Sequence, residues 1–314
     1  MLELRRRDAG AMTRLTPRTA LLMTMPPLLW AGNAIVGRLA VGSVPPLTLN
    51  FLRWALAALI LLPLGWRVLR APQAVLQRWP YLLAVGLLGV GTYNSLQYLA
   101  LVTSTPINVT LIAASMPVWM LAVGALFYRI HPSTRQYVGA ALSLAGVVLV
   151  IARGDLTTLA RVHLVPGDLY VLVSIIAWAF YSWLLAQPPA ALRGDQRPAW
   201  GWAEFLLIQT LFGLLGAGAA SAGEIVLTSA QVHWNGWVIA ALIYVAIGPS
   251  IIAYRCWGLG VVRAGPALAA FFGNLTPLFA ALLSAAVLGE SPHAYHALAF
   301  ALIVAGIVVP SVRR

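Results

Sequence analysis

Apolar residues in this chain gather into ten long runs, separated by short breaks that carry arginine, proline and glycine. The runs cover 20–41, 47–64, 79–101, 107–128, 136–151, 168–186, 203–220, 236–257, 265–288 and 293–310. About 20 apolar residues cross a bilayer's hydrocarbon core as a helix. With no water inside the bilayer, such a segment must satisfy its own backbone hydrogen bonds. The pattern predicts an all-α membrane protein with ten transmembrane helices. The longest breaks, 152–167 and 187–202, are Pro-, Gly- and Arg-containing connectors, too short for a soluble domain.

An internal repeat organises these spans. A shift of 160 positions lays Pro106 on Pro266, Pro117 on Pro277, Pro132 on Pro292 and Gly146 on Gly306, without a gap. With gaps, Trp30-Ala31 lies over Trp178-Ala179. The expected organisation is a tail at 1–19, a first five-helix unit at 20–152, a connector at 153–167, a second unit at 168–310 and a terminus at 311–314. Five is odd, so the second unit enters the membrane from the opposite side. Two inverted five-helix repeats around a central cavity are an architecture of alternating-access transporters. The alternative is duplication without transport, as in a lipid-modifying enzyme.

Charge refines this picture. The chain is 61% hydrophobic and 9% charged, with a net charge of +12, against about 25% charged residues in soluble domains. All 20 basic residues are arginines, and fifteen fall on one side of a ten-span layout, two on the other and three within spans. By the positive-inside rule both termini are cytoplasmic. The basic balance is thus topology and lipid-surface attraction, and no nucleic-acid partner is expected. The single cysteine, Cys256, excludes an intrachain disulfide and reads as a packed small hydrophobe.

Polar side chains at membrane depth face a cavity or another helix. Span three carries Tyr93, Asn94, Gln97 and Tyr98 as one stripe. Trp30 and Asn33 share a face of span one, Trp178, Tyr181 and Ser182 a face of span six, and Ser250, Tyr254 and Trp257 a face of span eight. Asn108, Ser115 and Trp119 lie on one side of span four, and Asn274 sits near the middle of span nine. Together they predict a substrate pocket of aromatic rings and neutral hydrogen-bonding groups. Helix–helix contacts and interfacial belts account for such residues singly; the stripe in span three exceeds what packing needs. Pro26, Pro27, Pro117, Pro249 and Pro277 within spans are candidate hinges. Arg53 reads as a snorkelling side chain ahead of the alternative, a substrate carboxylate contact, and Arg255 is open between the two.

No Asp or Glu falls mid-span in this layout: Asp168, Glu204 and Glu290 are at span ends and the other five lie in loops or the tail. Proton-coupled pumps use an embedded carboxylate, so facilitated export fits better. Paired carboxylates, Cys/His metal spacing and phosphate loops are missing. No enzyme activity, metal or cofactor is expected.

Several runs carry a family resemblance: YLALVTSTPINVTLIAASMP at 98–117, its copy WGLGVVRAGPALAAFFGNLTP at 257–277, FLRWALAAL at 51–59, LGE-x-P at 288–292, and the helix ends AGVVLVI and AGIVVP. Their order and spacing resemble the drug/metabolite transporter superfamily, in its ten-helix EamA-type branch, over nearly the whole chain. Within it the aromatic-rich spans look most like aromatic amino acid exporters of the YddG type. The first copy departs from the pattern, with Arg129-Ile130 where the second has Gly289-Glu290, so an acidic role carries over only onto Glu290. The resemblance implies a bacterial inner-membrane exporter whose substrates are amino acids, aromatic or apolar preferred, and whose setting is the lipid bilayer. Export of a drug, quaternary amine or nucleotide sugar is the alternative.

Overall fold

The computed structural model describes residues 15–229, 231–288 and 294–311. Ten helices cross in sequence: α1 Pro17–Leu39, α2 Pro46–Gly65, α3 79–103, α4 106–128, α5 Thr134–Ile151, α6 Pro166–Ala186, α7 Trp202–Thr228, α8 Gly236–Ala264, α9 266–288 and α10 Ala294–Ser311. Among the described residues, nine are both long and apolar enough to cross a membrane. The other, α3, has the length but is made less apolar by the Tyr93–Tyr98 stripe. The fold is that of a multi-pass, all-helical membrane protein.

Local chemistry sets the helix boundaries. Proline opens α2, α4, α6 and α9 at the first turn, where its missing N–H costs nothing. Ser133 and Gln136 form a reciprocal capping box at the start of α5, and the Asn235 side chain accepts from Val238 N at 2.9 Å at the start of α8. Arg129 ends α4 in the left-handed region at φ 56°, a conformation that glycine adopts without strain.

Two helices contain a π-helical turn, Leu87–Thr92 in α3 and Ala246–Ile252 in α8. The second follows from Pro249, which has no N–H for the carbonyl of Val245; the Ser250 hydroxyl donates to that carbonyl instead, at 2.7 Å. Two others are broken: α4 runs as Pro106–Ala113 and Met116–Tyr128, and α9 as Pro266–Gly273 and Thr276–Leu288. All four boundaries of α9 are those of α4 displaced by 160 residues, and α10 is displaced from α5 likewise.

Helices α5 and α10 pack through small residues. A Cβ on Gly139 would lie 2.7 Å from the Gly306 carbonyl oxygen, and one on Gly306 2.7 Å from the Gly139 oxygen; Gly146 meets the Ala299 oxygen at 2.8 Å. Backbones this close pack well in a bilayer, where no hydrophobic force joins helices.

The structure corrects the sequence reading at α7, which continues eight residues past 220. Glu224, assigned to a loop, is therefore helical and buried. Its carboxylate accepts from Leu47 N at 3.0 Å, Thr48 N at 2.8 Å and the Thr48 hydroxyl at 2.9 Å, capping α2. Asp168, in the first turn of α6, is likewise buried and saturated, by the Ser104 hydroxyl, Asn108 Nδ2 at 2.7 Å and Val165 N at 2.8 Å. Both carboxylates hold helix ends in place.

Candidate aromatic chamber and its cavity

Trp178 of α6 is fully buried at the crossing of the helices. Five rings surround it: Tyr93 at 4.4 Å between centroids, Tyr181 at 4.8 Å, Trp257 at 5.2 Å, Tyr254 at 5.3 Å and Trp30 at 5.4 Å. Their planes are tilted or edge-on, the arrangements that the ring quadrupole favours. They come from α1, α3, α6 and α8. Trp54 of α2 adds a further ring, 4.7 Å from Tyr254.

Most polar ends of these rings have fixed partners. Tyr254 OH donates to the Gly89 carbonyl at 2.5 Å and accepts from Asn94 Nδ2 at 2.7 Å. Trp30 Nε1 donates to the Pro249 carbonyl at 3.2 Å. Gly89 and Pro249 each sit in a π-helical turn, so both irregular turns present a carbonyl to an aromatic donor. Trp257 Nε1 donates to Ser182 at 3.1 Å, Gln209 Nε2 to Tyr181 at 3.0 Å, and Gln97 Nε2 to Ser174 at 2.9 Å. The buried indole N–H groups of Trp54 and Trp178 have no acceptor.

A cavity of about 910 Å³ approaches the rings from the end that carries the 187–201 connector. Its floor is Tyr181, Tyr254 and Gln209; its mouth carries Arg193, Arg197 and Arg255, and none of the described lining residues is acidic. The Arg255 guanidinium lies 4.1 Å from the Trp202 ring centroid, a cation–π contact that leaves it at the wall.

On the other side of Tyr254 lies a polar cluster. Arg53 is fully buried. Its Nε donates to Ser250 Oγ at 2.9 Å, and its Nη1 to Tyr98 OH at 2.8 Å and Asn33 Oδ1 at 3.4 Å; Tyr98 OH in turn donates to Asn33 Oδ1 at 2.7 Å. Nη2 has no partner. The expectation that Arg53 snorkels is thus overturned: its neighbours hold it inside the bundle.

Of the residues singled out from sequence, Trp30, Tyr93, Asn94, Trp178, Tyr181 and Tyr254 meet in the ring cluster, and Asn33, Tyr98 and Ser250 meet around Arg53. Gln97 ties α3 to α6. Asn274 lies elsewhere: it donates to the Ala114 carbonyl at 3.3 Å and to Ser143 at 2.8 Å, pinning the break of α9 to that of α4. Trp119 is half-buried and packs against the main hydrophobic core. Asn108 holds the Asp168 carboxylate and the His163 carbonyl at the helix ends. Pro249 stands within a π-helical turn, Pro117 and Pro277 open the second segments of α4 and α9, and Pro26 and Pro27 lie inside α1. Glu290 falls outside the described residues. Trp54, Gln209 and Ser174 were not anticipated. Trp54 adjoins Arg53 in a run read as apolar helix, and Gln209 is the lone amide of α7, about two turns from its start.

Ring-lined space inside a bundle of bilayer-length helices, open at one end, defines a membrane protein built to hold a small molecule. The chain matches the EamA-like transporter family over residues 17–152 and 165–312, and belongs to that family. It is similar to an uncharacterised transporter of Archaeoglobus fulgidus, with 27% identity over 95% of this chain and 98% of that one. It is also similar to the uncharacterised inner membrane transporter YedA of Escherichia coli, 27% identical over 90% and 87%. The aromatic amino acid exporter YddG of Ancylobacter novellus is 28% identical over 90% of this chain and 93% of its own length. A solved crystal structure superposes with a TM-score of 0.72 at 24% identity, covering 93% of this chain and 96% of that one, which establishes the shared fold.

Proposed function

We propose that this transporter exports amino acids with aromatic or apolar side chains, and related small amphiphiles, across a bacterial inner membrane. The observation that carries this reading is the cluster of five rings around Trp178, two of which, Tyr181 and Tyr254, form the floor of a cavity with a basic mouth. Rings hold an apolar side chain and stack on an aromatic one, while amides and hydroxyls bind its head group without a fixed charge. The arginine asymmetry puts the connector end and both termini in the cytoplasm, so the cavity opens toward the compartment from which an exporter loads. The relative named as an aromatic amino acid exporter supports the same substrate class.

The mechanism is alternating access between two five-helix copies of opposite orientation. Shared boundaries at a shift of 160 residues and the reciprocal approach of α5 and α10 support two copies about a pseudo-two-fold axis. Transport runs down the substrate gradient. The two buried carboxylates described, Asp168 and Glu224, are filled with hydrogen-bond donors at the end away from the cavity. Neither is placed to carry a proton past the rings.

Counterflow and net uptake of radiolabelled amino acids in proteoliposomes test this, with and without an imposed pH difference. Phenylalanine, tryptophan and leucine exchange without the pH difference is the expected result; accumulation that appears only with it refutes facilitated export. A C-terminal alkaline phosphatase fusion active in the periplasm refutes the orientation. Export of quaternary amines is the rival reading, and the basic mouth opposes it, since Arg193, Arg197 and Arg255 repel a cation.

A further inference from the structure

Arg53 has a complete shell of neutral acceptors on Nε and Nη1 and none on Nη2. A guanidinium carries five N–H donors and a positive charge in a fixed fork. Placing it fully inside a protein is unfavourable unless an anion accompanies it. Its contacts here are a serine, an asparagine, a tyrosine and the faces of Trp54 and Tyr98, at 5.3 and 5.7 Å from the ring centroids. None of these supplies the opposite charge. They do fix the orientation of the fork, since three helices besides its own grip it: α1 through Asn33, α3 through Tyr98 and α8 through Ser250.

Its distance from the cavity follows from the helix repeat. Ser250 and Tyr254 are four residues apart on α8, hence on one face and about 6 Å apart along the axis. Tyr254 lines the cavity, and Ser250 holds Arg53 Nε. Arg53 therefore stands one helical turn beyond the cavity floor, behind Tyr254 and Trp54, whose rings touch at 4.7 Å. Counting from the other side, it lies seven residues from Pro46, about 10 Å of rise from that end of α2. A substrate moving from the cavity toward the far side must pass this level.

From this we infer that Arg53 is the anion receptor of the transport path, receiving the substrate carboxylate on its free Nη2 when Tyr254 and Trp54 part. The inference rests on the reading of the ring cluster as the substrate chamber and narrows its substrate class. The cargo is a carboxylate with an aromatic or apolar body, and amines lacking that carboxylate are rejected. A fixed buried cation does both, pairing with one charge and repelling the other in a medium of low dielectric. The basic mouth acts in the same sense, gathering anionic head groups toward a cavity without acidic side chains among its described lining residues.

The test compares phenylalanine, phenylalaninamide and phenethylamine as competitors of radiolabelled phenylalanine counterflow in proteoliposomes. This arm needs no variant. Phenylalanine competing at least tenfold better than either analogue supports the inference; equal competition by phenethylamine overturns it. In the second arm, Arg53→Met keeps the length of the side chain and removes the charge. Its KM for phenylalanine should rise at least tenfold, with part of the loss recovered in Arg53→Lys and discrimination against phenethylamine reduced. Arg53→Met with wild-type KM and discrimination overturns the inference. Should Arg53→Met fail to fold, Ser250→Ala, which removes the Nε acceptor alone, must shift the same discrimination ratio. If the wild-type protein exchanges no amino acid at all, the substrate reading itself fails, an outcome distinct from an amino acid exporter indifferent to Arg53.

Discussion

Glu224 separates a structural carboxylate from a proton carrier. It serves three donors at the start of α2: Leu47 N at 3.0 Å, Thr48 N at 2.8 Å and the Thr48 hydroxyl at 2.9 Å. In Glu224→Ala the hydroxyl still has Ser221 Oγ at 3.0 Å, but two backbone N–H groups lose their acceptor. A buried donor left unsatisfied costs about 1–3 kcal/mol, and loss of a carboxylate at a helix N-terminus adds about 0.3–1 kcal/mol. Water entering at the helix end recovers part of this, so the expected destabilisation is about 2–4 kcal/mol. Glu224→Gln keeps one acceptor oxygen and loses the charge, for about half that effect. Unfolding by sodium dodecyl sulfate from mixed micelles measures the order wild type, Gln, Ala. Counterflow per folded molecule, measured from pH 6 to pH 8, should keep its profile in both variants. The reasoning is refuted if Glu224→Ala unfolds at the wild-type midpoint. It is refuted equally if Glu224→Gln is stable yet loses a pH-driven accumulation that the wild type shows.

Tyr93→Ala and Gln97→Ala should lower counterflow severalfold at unchanged yield of folded protein, by size-exclusion profile; unchanged rates in both return this stripe of α3 to helix packing. Gly306→Leu should abolish folded protein, because its side chain meets the Gly139 carbonyl, whereas Gly223→Leu, whose Cβ position is open, should not; equal yields count against the close approach of α5 and α10. Arg129→Gly should stabilise by about 1 kcal/mol by relieving left-handed backbone at φ 56°; an unfolding midpoint at or below wild type contradicts that.

The helix count and most boundaries were legible because apolar runs of bilayer length have one structural outcome. The polar stripes on α3, α6 and α8 were legible for the same reason, since a polar group in an apolar run must face inward. What the pattern did not show was which inward-facing groups meet. Asn274 and Trp178 look alike in sequence, each a polar or amphipathic residue within an apolar span. Yet Asn274 binds the break of α4, while Trp178 gathers five rings. That difference depends on helix rotation and crossing, which periodicity leaves open. Arg53 was misread because its distance from the helix end allows snorkelling, and only the positions of Asn33, Tyr98 and Ser250 on other helices show that it turns inward. Glu224 was missed because α7 continues past the point where its apolar run weakens.

Two hydrogen bonds join residues 160 positions apart, Asn94 with Tyr254 at 2.7 Å and Asn274 with the Ala114 carbonyl at 3.3 Å. Under the proposed two-copy architecture these are equivalent positions, so each pair sits where a two-fold axis makes a residue meet its own counterpart. In a dimer of identical chains, both partners at such a point must be the same amino acid, and an interaction needing one strong donor and one bulky acceptor is out of reach. Joining the halves in one polypeptide lifts that restriction. One side can then carry a small amide while the other carries a phenol, and the ring can lean across the axis into the space its partner vacates. The asymmetry that places Tyr254 at the cavity floor is thus closed to a dimer of identical halves, and a five-helix half expressed alone could not rebuild it by pairing with itself.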